Sequence, residues 1–147
     1  MLSLILCSSL LGGVHSKAEQ AFHKNEYKKV LELYQPLAKE GDVRALMRLA
    51  SLYTHGYGVA QNYGKAHRLY LKAAKRGEVN AMGIVAFNYY KQIGALPNFP
   101  KAIAWWKKAA KKGNQKSAYM LGYLYENGVG VKQNQWKANF WYAKAGL

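Results

Sequence analysis

Three glycines, Gly41, Gly77 and Gly113, stand 36 residues apart, and after each one the same order of small, apolar and aromatic residues returns. A fixed period of this size marks an array of identical supersecondary units, each too small to bury its own apolar face and each completed by its neighbours. The register is tight. Ala45, Ala81 and Ser117 fall at one place, Leu49, Val85 and Leu121 at the next, then the small Ala50, Ala86 and Gly122, then Tyr53, Tyr89 and Tyr125. Spacings of four, one and three residues put all of them on one face of an α-helix, and a small residue beside a large one lets a neighbouring helix approach closely.

A glycine-rich turn follows, Gly56-Tyr57-Gly58-Val59 in the first unit and Gly128-Val129-Gly130-Val131 in the third, where glycine permits the left-handed backbone that ends a helix. A second helix then carries Lys65-Ala66, Lys101-Ala102 and Lys137-Ala138, and after them Tyr70, Trp106 and Tyr142. Lys75-Arg76 and Lys111-Lys112 close it, cations that complement the helix dipole ahead of the next glycine. The middle unit departs from its neighbours at the turn, where Gln92 replaces the first glycine and Pro97 and Pro100 follow. Its length is unchanged, so the turn is expected to be re-formed rather than lengthened, and the reshaped loop is a candidate contact point.

The reading is therefore all-α: a solenoid of helix-turn-helix units over 41–76, 77–112 and 113–147, preceded by a capping helical pair over 17–40. Residues 1–16, MLSLILCSSLLGGVHS, are apolar and small, and Val14 and Ser16 sit where a signal peptidase would read them before Lys17. An export leader is expected there, although no positive residue precedes the apolar stretch. An N-terminal helix packed on the repeats and a retained anchor are the competing readings. Cys7 is the single cysteine, which leaves no internal disulfide and no cysteine zinc set, and Leu6 before it is too large for a lipidation signal. At the other end the chain reaches Leu147 within or just after a second helix, so an apolar edge there is expected to meet a partner, a second copy or further repeats.

Charge is the other constraint. The net charge of +15 is uneven: residues 1–40 hold five lysines and four acids, while residues 41–147 hold seventeen Lys/Arg and three acids. Such a field suits an acidic partner, and equally suits solvated helix faces.

The pattern G-x-x-x-A-x-x-x-L-G-x-x-Y-x-x-G-x-G-V followed by K-A-x-x-W-Y-x-K-A resembles the Sel-one-like repeat, most closely in the final unit. The resemblance covers 41–147 directly and implies a right-handed α-α superhelix, similar to tetratricopeptide arrays, that acts as a scaffold or adaptor for proteins. Exported bacterial members are involved in host interaction, envelope processes or immunity against secreted toxins. A cysteine-rich subgroup has β-lactamase-like activity, and this chain lacks those cysteines.

Catalytic groups are sparse. His23, His55 and His67 have no recurring partner and no metal-ligand spacing, and read as ordinary surface histidines; no phosphate loop, nucleophile elbow or paired carboxylate is present. No enzyme activity, metal or cofactor is expected. In arrays of the family that this chain resembles, the first helices line the concave face. Repeat phase then nominates Arg44, Met47, Ser51 and His55 in the first unit, with Thr54 beside them. The second unit gives Asn80, Phe87, Tyr90 and Lys91, with Gly83 among them, and the third gives Lys116, Tyr119 and Tyr123, with Glu126 beyond. Aromatics among cations could anchor an acidic segment of another protein. The alternatives are packing of those same rings against adjacent units, a basic repeat surface that stacks and neutralises RNA, and a surface resting on anionic lipid. Export of the chain would favour the protein-binding reading, and an immunity or effector-neutralising role is one form it could take.

Overall fold

The computed structural model describes residues 2–147, with side chains from Ser8 onward; Met1 and the side chain of Cys7, the residue weighed for lipidation, lie outside the described residues. Among the described residues eight helices follow in order: α1 (Leu2–His23), α2 (Tyr27–Lys39), α3 (Val43–His55), α4 (Tyr63–Lys75), α5 (Val79–Lys91), α6 (Phe99–Lys111), α7 (Gln115–Asn127) and α8 (Gln135–Lys144). There is no strand among the described residues. Each helix packs on the next, α3 on α4, α4 on α5 and so along the chain, which makes a solenoid of helix pairs.

Within the three units, the helix starts and the first-helix ends have chemical causes that recur with the period. The first helices start at Asp42, Glu78 and Asn114, whose side chains accept from the backbone N–H of Ala45, Asn80 and Ser117. The second helices start at Asn62, Asn98 and Asn134, which accept from Lys65, Lys101 and Lys137. Each such cap satisfies a donor that the first turn of a helix leaves unpaired. The first helices end on Gly56, Gln92 and Gly128, all left-handed, with φ of 71°, 61° and 67°. Gln92 thus takes the glycine's conformation, and the middle turn is re-formed: Asn98 N–H bonds to Tyr89 O as Asn62 does to Tyr53 O and Asn134 to Tyr125 O.

The second turn glycine answers to a different demand. A Cβ on Gly94 would lie 2.0 Å from the carbonyl oxygen of Tyr63, and one on Gly130 2.5 Å from the ring of Phe99. Each turn is therefore laid against the start of the preceding unit's second helix. A side chain is tolerated at the first turn position, as Gln92 shows, and has no room at the second.

The core runs along the stack between the helices, through Tyr34, Leu46, Leu52, Val85, Trp106, Leu121 and Leu124, all fully or almost fully buried. The lysine of each Lys-Ala motif also belongs to the architecture: Lys65, Lys101 and Lys137 lie over the rings of Tyr53, Tyr89 and Tyr125 at 4.3, 5.4 and 5.3 Å, tying the second helix to the first by cation–π contact.

Helix α1 spans both the segment read as a leader and the start of the capping pair, and passes through Ser16 and Lys17 without a break. Its own Ala18 and Ala21 are buried. His15 reaches Tyr34 Oη at 3.3 Å and Asp42 at 3.1 Å, Tyr34 donates to Glu19 at 2.9 Å, and Arg48 donates to both oxygens of Glu19 while its guanidinium covers the Phe22 ring at 4.0 Å. These contacts lock α1 onto α2 and α3. No described helix is long and apolar enough to cross a membrane.

Candidate partner-binding face

Helices α3, α5 and α7 carry all of the nominated residues, and the structure divides them. Arg44 and His55 on α3, Asn80, Phe87 and Lys91 on α5, and Lys116, Tyr119 and Tyr123 on α7 are exposed. Met47 is half-buried and packs against the core, and Ser51 is half-buried on the same helix. Tyr90 is half-buried as well, its ring set against Trp106 at 5.6 Å and Phe99 at 5.9 Å, so it serves packing. Phe87 and Tyr119 keep 41% and 47% of their surface in solvent, which leaves both rings available for contact. Tyr119 leans on Tyr142 at 5.6 Å, and Tyr142 in turn donates to Glu126 at 2.7 Å.

A cavity of about 410 Å³ opens between α5 and α7. Trp106 is among its lining residues, with Ile84 and Phe87 on α5 and Met120 on α7. Lys116 and Ser117, in the first turn of α7, line it from the other side. Its volume falls within the roughly 300–1,000 Å³ of ordinary ligand sites. Lys116 brings a positive charge to that turn, where the helix dipole also favours anions.

The surrounding charge is one-sided. From residue 79 to residue 125 the chain holds no Asp or Glu and seven lysines, Lys91, Lys101, Lys107, Lys108, Lys111, Lys112 and Lys116. Lys91, Lys101, Lys107 and Lys108 stand over the rings of Tyr90, Tyr89, Tyr125 and Trp105 at 4.8, 5.4, 6.0 and 4.7 Å, while Lys116 lines the cavity.

The histidines need a correction. His67 is buried rather than on the surface, at 5% exposure, with Asn88 Nδ2 at 3.3 Å from its Nδ1 and the Tyr89 ring edge-on at 4.9 Å. Burial, aided by the charges of Arg68 and Lys101, lowers its pKa, so the ring is held neutral in the core. His15 is buried too, within the α1 network. In that network burial alone would push the Glu19 carboxyl up, but its bonds to Arg48 and Tyr34 and the charges of Arg48 and Arg44 outweigh burial and hold it below the usual carboxylate range. Burial and the bond to Glu126 push the Tyr142 phenol up to about 12. None of these groups faces the cavity between α5 and α7.

Compared with known proteins, the chain matches the Sel1 repeat at residues 43–78, 79–114 and 115–147, two residues later in phase than the units marked off by the glycines. No curated protein matches it. Among solved structures it is similar to a Sel1 repeat protein from Oxalobacter formigenes, with 30% identity and a TM-score of 0.79 over 88% of this chain and 54% of that one. It is also similar in fold to a protective antigen present in uropathogenic Escherichia coli strains displaying an SLR fold, with 24% identity and a TM-score of 0.84 over 99% of this chain and 33% of that one. The chain thus spans about half the length of the first and a third of the second.

Proposed function

From the premise that this chain belongs to the Sel1 repeat family, whose helical units generally mediate protein–protein interaction, we propose that it is an exported scaffold whose first-helix face holds an acidic partner protein. The fold is one typically used as a non-catalytic scaffold. The observation that carries the reading is the pairing of exposed Phe87, Tyr119 and Tyr123 with a 47-residue stretch, 79–125, free of acids and rich in lysine. Aromatic anchors supply buried area at an interface, while unpaired lysines steer and select an acidic surface. A secreted toxin or effector neutralised by occlusion is the partner class in keeping with so basic a binding face.

Export rests on Val14 and Ser16 before Lys17. Cleavage after Ser16 would remove His15 from Tyr34 and Asp42 but leave α1 starting at Lys17 with Ala18, Glu19, Ala21 and Phe22 still seated on α2 and α3. The capping pair thereby survives processing.

The test is expression of the full chain with a C-terminal tag, cell fractionation, intact mass, and identification of what co-purifies at moderate salt. The expected result is an envelope-fraction protein beginning at Lys17 with one stoichiometric acidic protein. An unprocessed cytoplasmic chain carrying RNA, lost steeply as salt rises, would overturn both parts of the proposal.

A further inference from the structure

Two departures from the repeat pattern meet at one spot. At the position that holds Met47 in the first unit and Tyr119 in the third, the second unit has Gly83; at the position that holds Ala45 and Ala81, the third unit has Ser117. The structure brings these two exceptions side by side in the lining of the cavity between α5 and α7, where a Cβ on Gly83 would stand 3.2 Å from Ser117 Oγ. The missing side chain opens a notch. The added hydroxyl is 1% exposed and has no hydrogen-bond partner, although buried polar groups in folded proteins are nearly always paired.

The bare Gly83 lets Ser117 of α7 come close, but close approach alone does not call for a hydroxyl there. Gly83 has ordinary helical backbone inside α5, where glycine weakens a helix relative to alanine. Ser117 sits where alanine suffices twice, and its hydroxyl forms no bond that would justify it. Both make sense as parts of a receptor. The notch has an apolar wall of Ile84, Phe87 and Met120, and Phe87 projects into solvent at its mouth. Lys116, the preceding residue, also lines the cavity, at the end of α7 whose dipole favours negative charge.

We propose that this notch seats one apolar side chain of an acidic segment of the partner protein, with the Ser117 hydroxyl donating to an oxygen of that segment and Lys116 pairing with a carboxylate beside it. The choice of an acidic segment follows from Lys116, the one charged residue that lines the cavity, within a stretch of the chain, residues 79–125, that holds seven lysines and no acid. The inference rests on the acidic-partner reading above and adds to it a place and a chemistry. It also gives the second and third units a role that the first cannot share, because Met47 occupies the same position there.

The probe is a capped, fluorescein-labelled peptide of alternating glutamate and leucine, compared by anisotropy with its alanine-for-leucine counterpart and with a neutral glutamine-for-glutamate counterpart. The expected result is saturable binding of the first and at least about tenfold weaker binding of the other two. Gly83→Met, which places in the notch the residue of the first unit, should weaken the leucine peptide about tenfold or more, and Ser117→Ala and Lys116→Glu should each weaken it several-fold. The last two variants change one buried oxygen and one exposed charge, so they report even if Gly83→Met folds poorly. Equal binding of the leucine and alanine peptides, no change in Ser117→Ala and Lys116→Glu, or no saturable binding at all would overturn the notch. Equal binding of the neutral peptide would overturn its acidic occupant and point to a small apolar ligand. Capture of the same acidic partner by wild type and Gly83→Met alike would sink the notch and leave the scaffold reading standing; absence of any protein partner would sink the scaffold reading itself.

Discussion

Replacing Gly94 by alanine should cost the protein far more than replacing Gly128, although both glycines lie in turns and have nearly the same backbone, φ of 68° and 67°. The left-handed conformation penalises any L side chain by about 1–2 kcal/mol, and this applies to both. The surroundings differ. A Cβ on Gly128 meets Gln133 Cβ at 3.3 Å, a contact that small adjustments relieve, whereas a Cβ on Gly94 meets the Tyr63 carbonyl oxygen at 2.0 Å and the Gly64 nitrogen at 2.8 Å. Those are backbone atoms at the start of α4, so the turn must lift off the preceding unit. Forcing extra volume into a packed contact costs about 1–3 kcal/mol more. For a chain of this length each kcal/mol lowers the melting temperature by about 2–4 °C, so Gly94→Ala should melt about 2–12 °C below Gly128→Ala. Far-ultraviolet circular dichroism melts, with urea titrations to confirm unchanged m-values, would measure the gap. Equal losses for the two variants would refute the idea that the second turn glycine is required by the neighbouring unit rather than by its own backbone.

Further outcomes follow from the same geometry. Gln92→Gly should raise stability, by up to about 1 kcal/mol in urea titration, because it relieves a left-handed glutamine at φ 61° and the gain exceeds the added freedom of the unfolded chain. Asn98→Ala should lower it by about 1 kcal/mol through loss of the cap on Lys101 N–H, measured the same way. Trp106→Ala should cost about 3–5 kcal/mol, since that ring is only 2% exposed and takes part in both the core and the cavity. Acid should loosen α1: Glu19 has a lowered folded-state pKa, so its contribution is fully present above the unfolded value of 4.5 and is lost as pH falls through the folded value. The urea midpoints of wild type and Glu19→Gln should therefore differ at pH 7 and converge as the pH drops below 4.5.

The period made the helices legible because every unit repeats its small and large residues at helical spacing, and Gly41, Gly77 and Gly113 mark the joints. The caps Asn62, Asn98 and Asn134 recur with the same period and could have been read from the sequence on that ground. So could the lysines over Tyr53, Tyr89 and Tyr125, which in a sequence look like mere charge. His67 was not legible, since nothing in the residues around it distinguishes a histidine turned toward Asn88 from one turned to water. The role of Gly94 was hidden for a different reason: the atom that excludes a side chain belongs to Tyr63, one unit earlier. At the candidate site, the exposed aromatics and Lys116 followed from repeat phase. Gly83 and Ser117 are visible as exceptions in the alignment of units, but they lie 34 positions apart and only packing of α5 beside α7 makes them one feature.

Because each turn is pressed against the start of the previous unit's second helix, neighbouring units cannot slide or rotate freely against one another. Equivalent positions such as 47, 83 and 119 therefore stand at a fixed pitch, like marks on a ruler. A partner that engages more than one mark must carry its own contact points at that spacing, and gaining or losing a whole 36-residue unit moves the far marks by one full step while leaving the nearer ones in place. Gene duplication or deletion of a unit would thus change how long a partner segment is read without changing how any part of it is read.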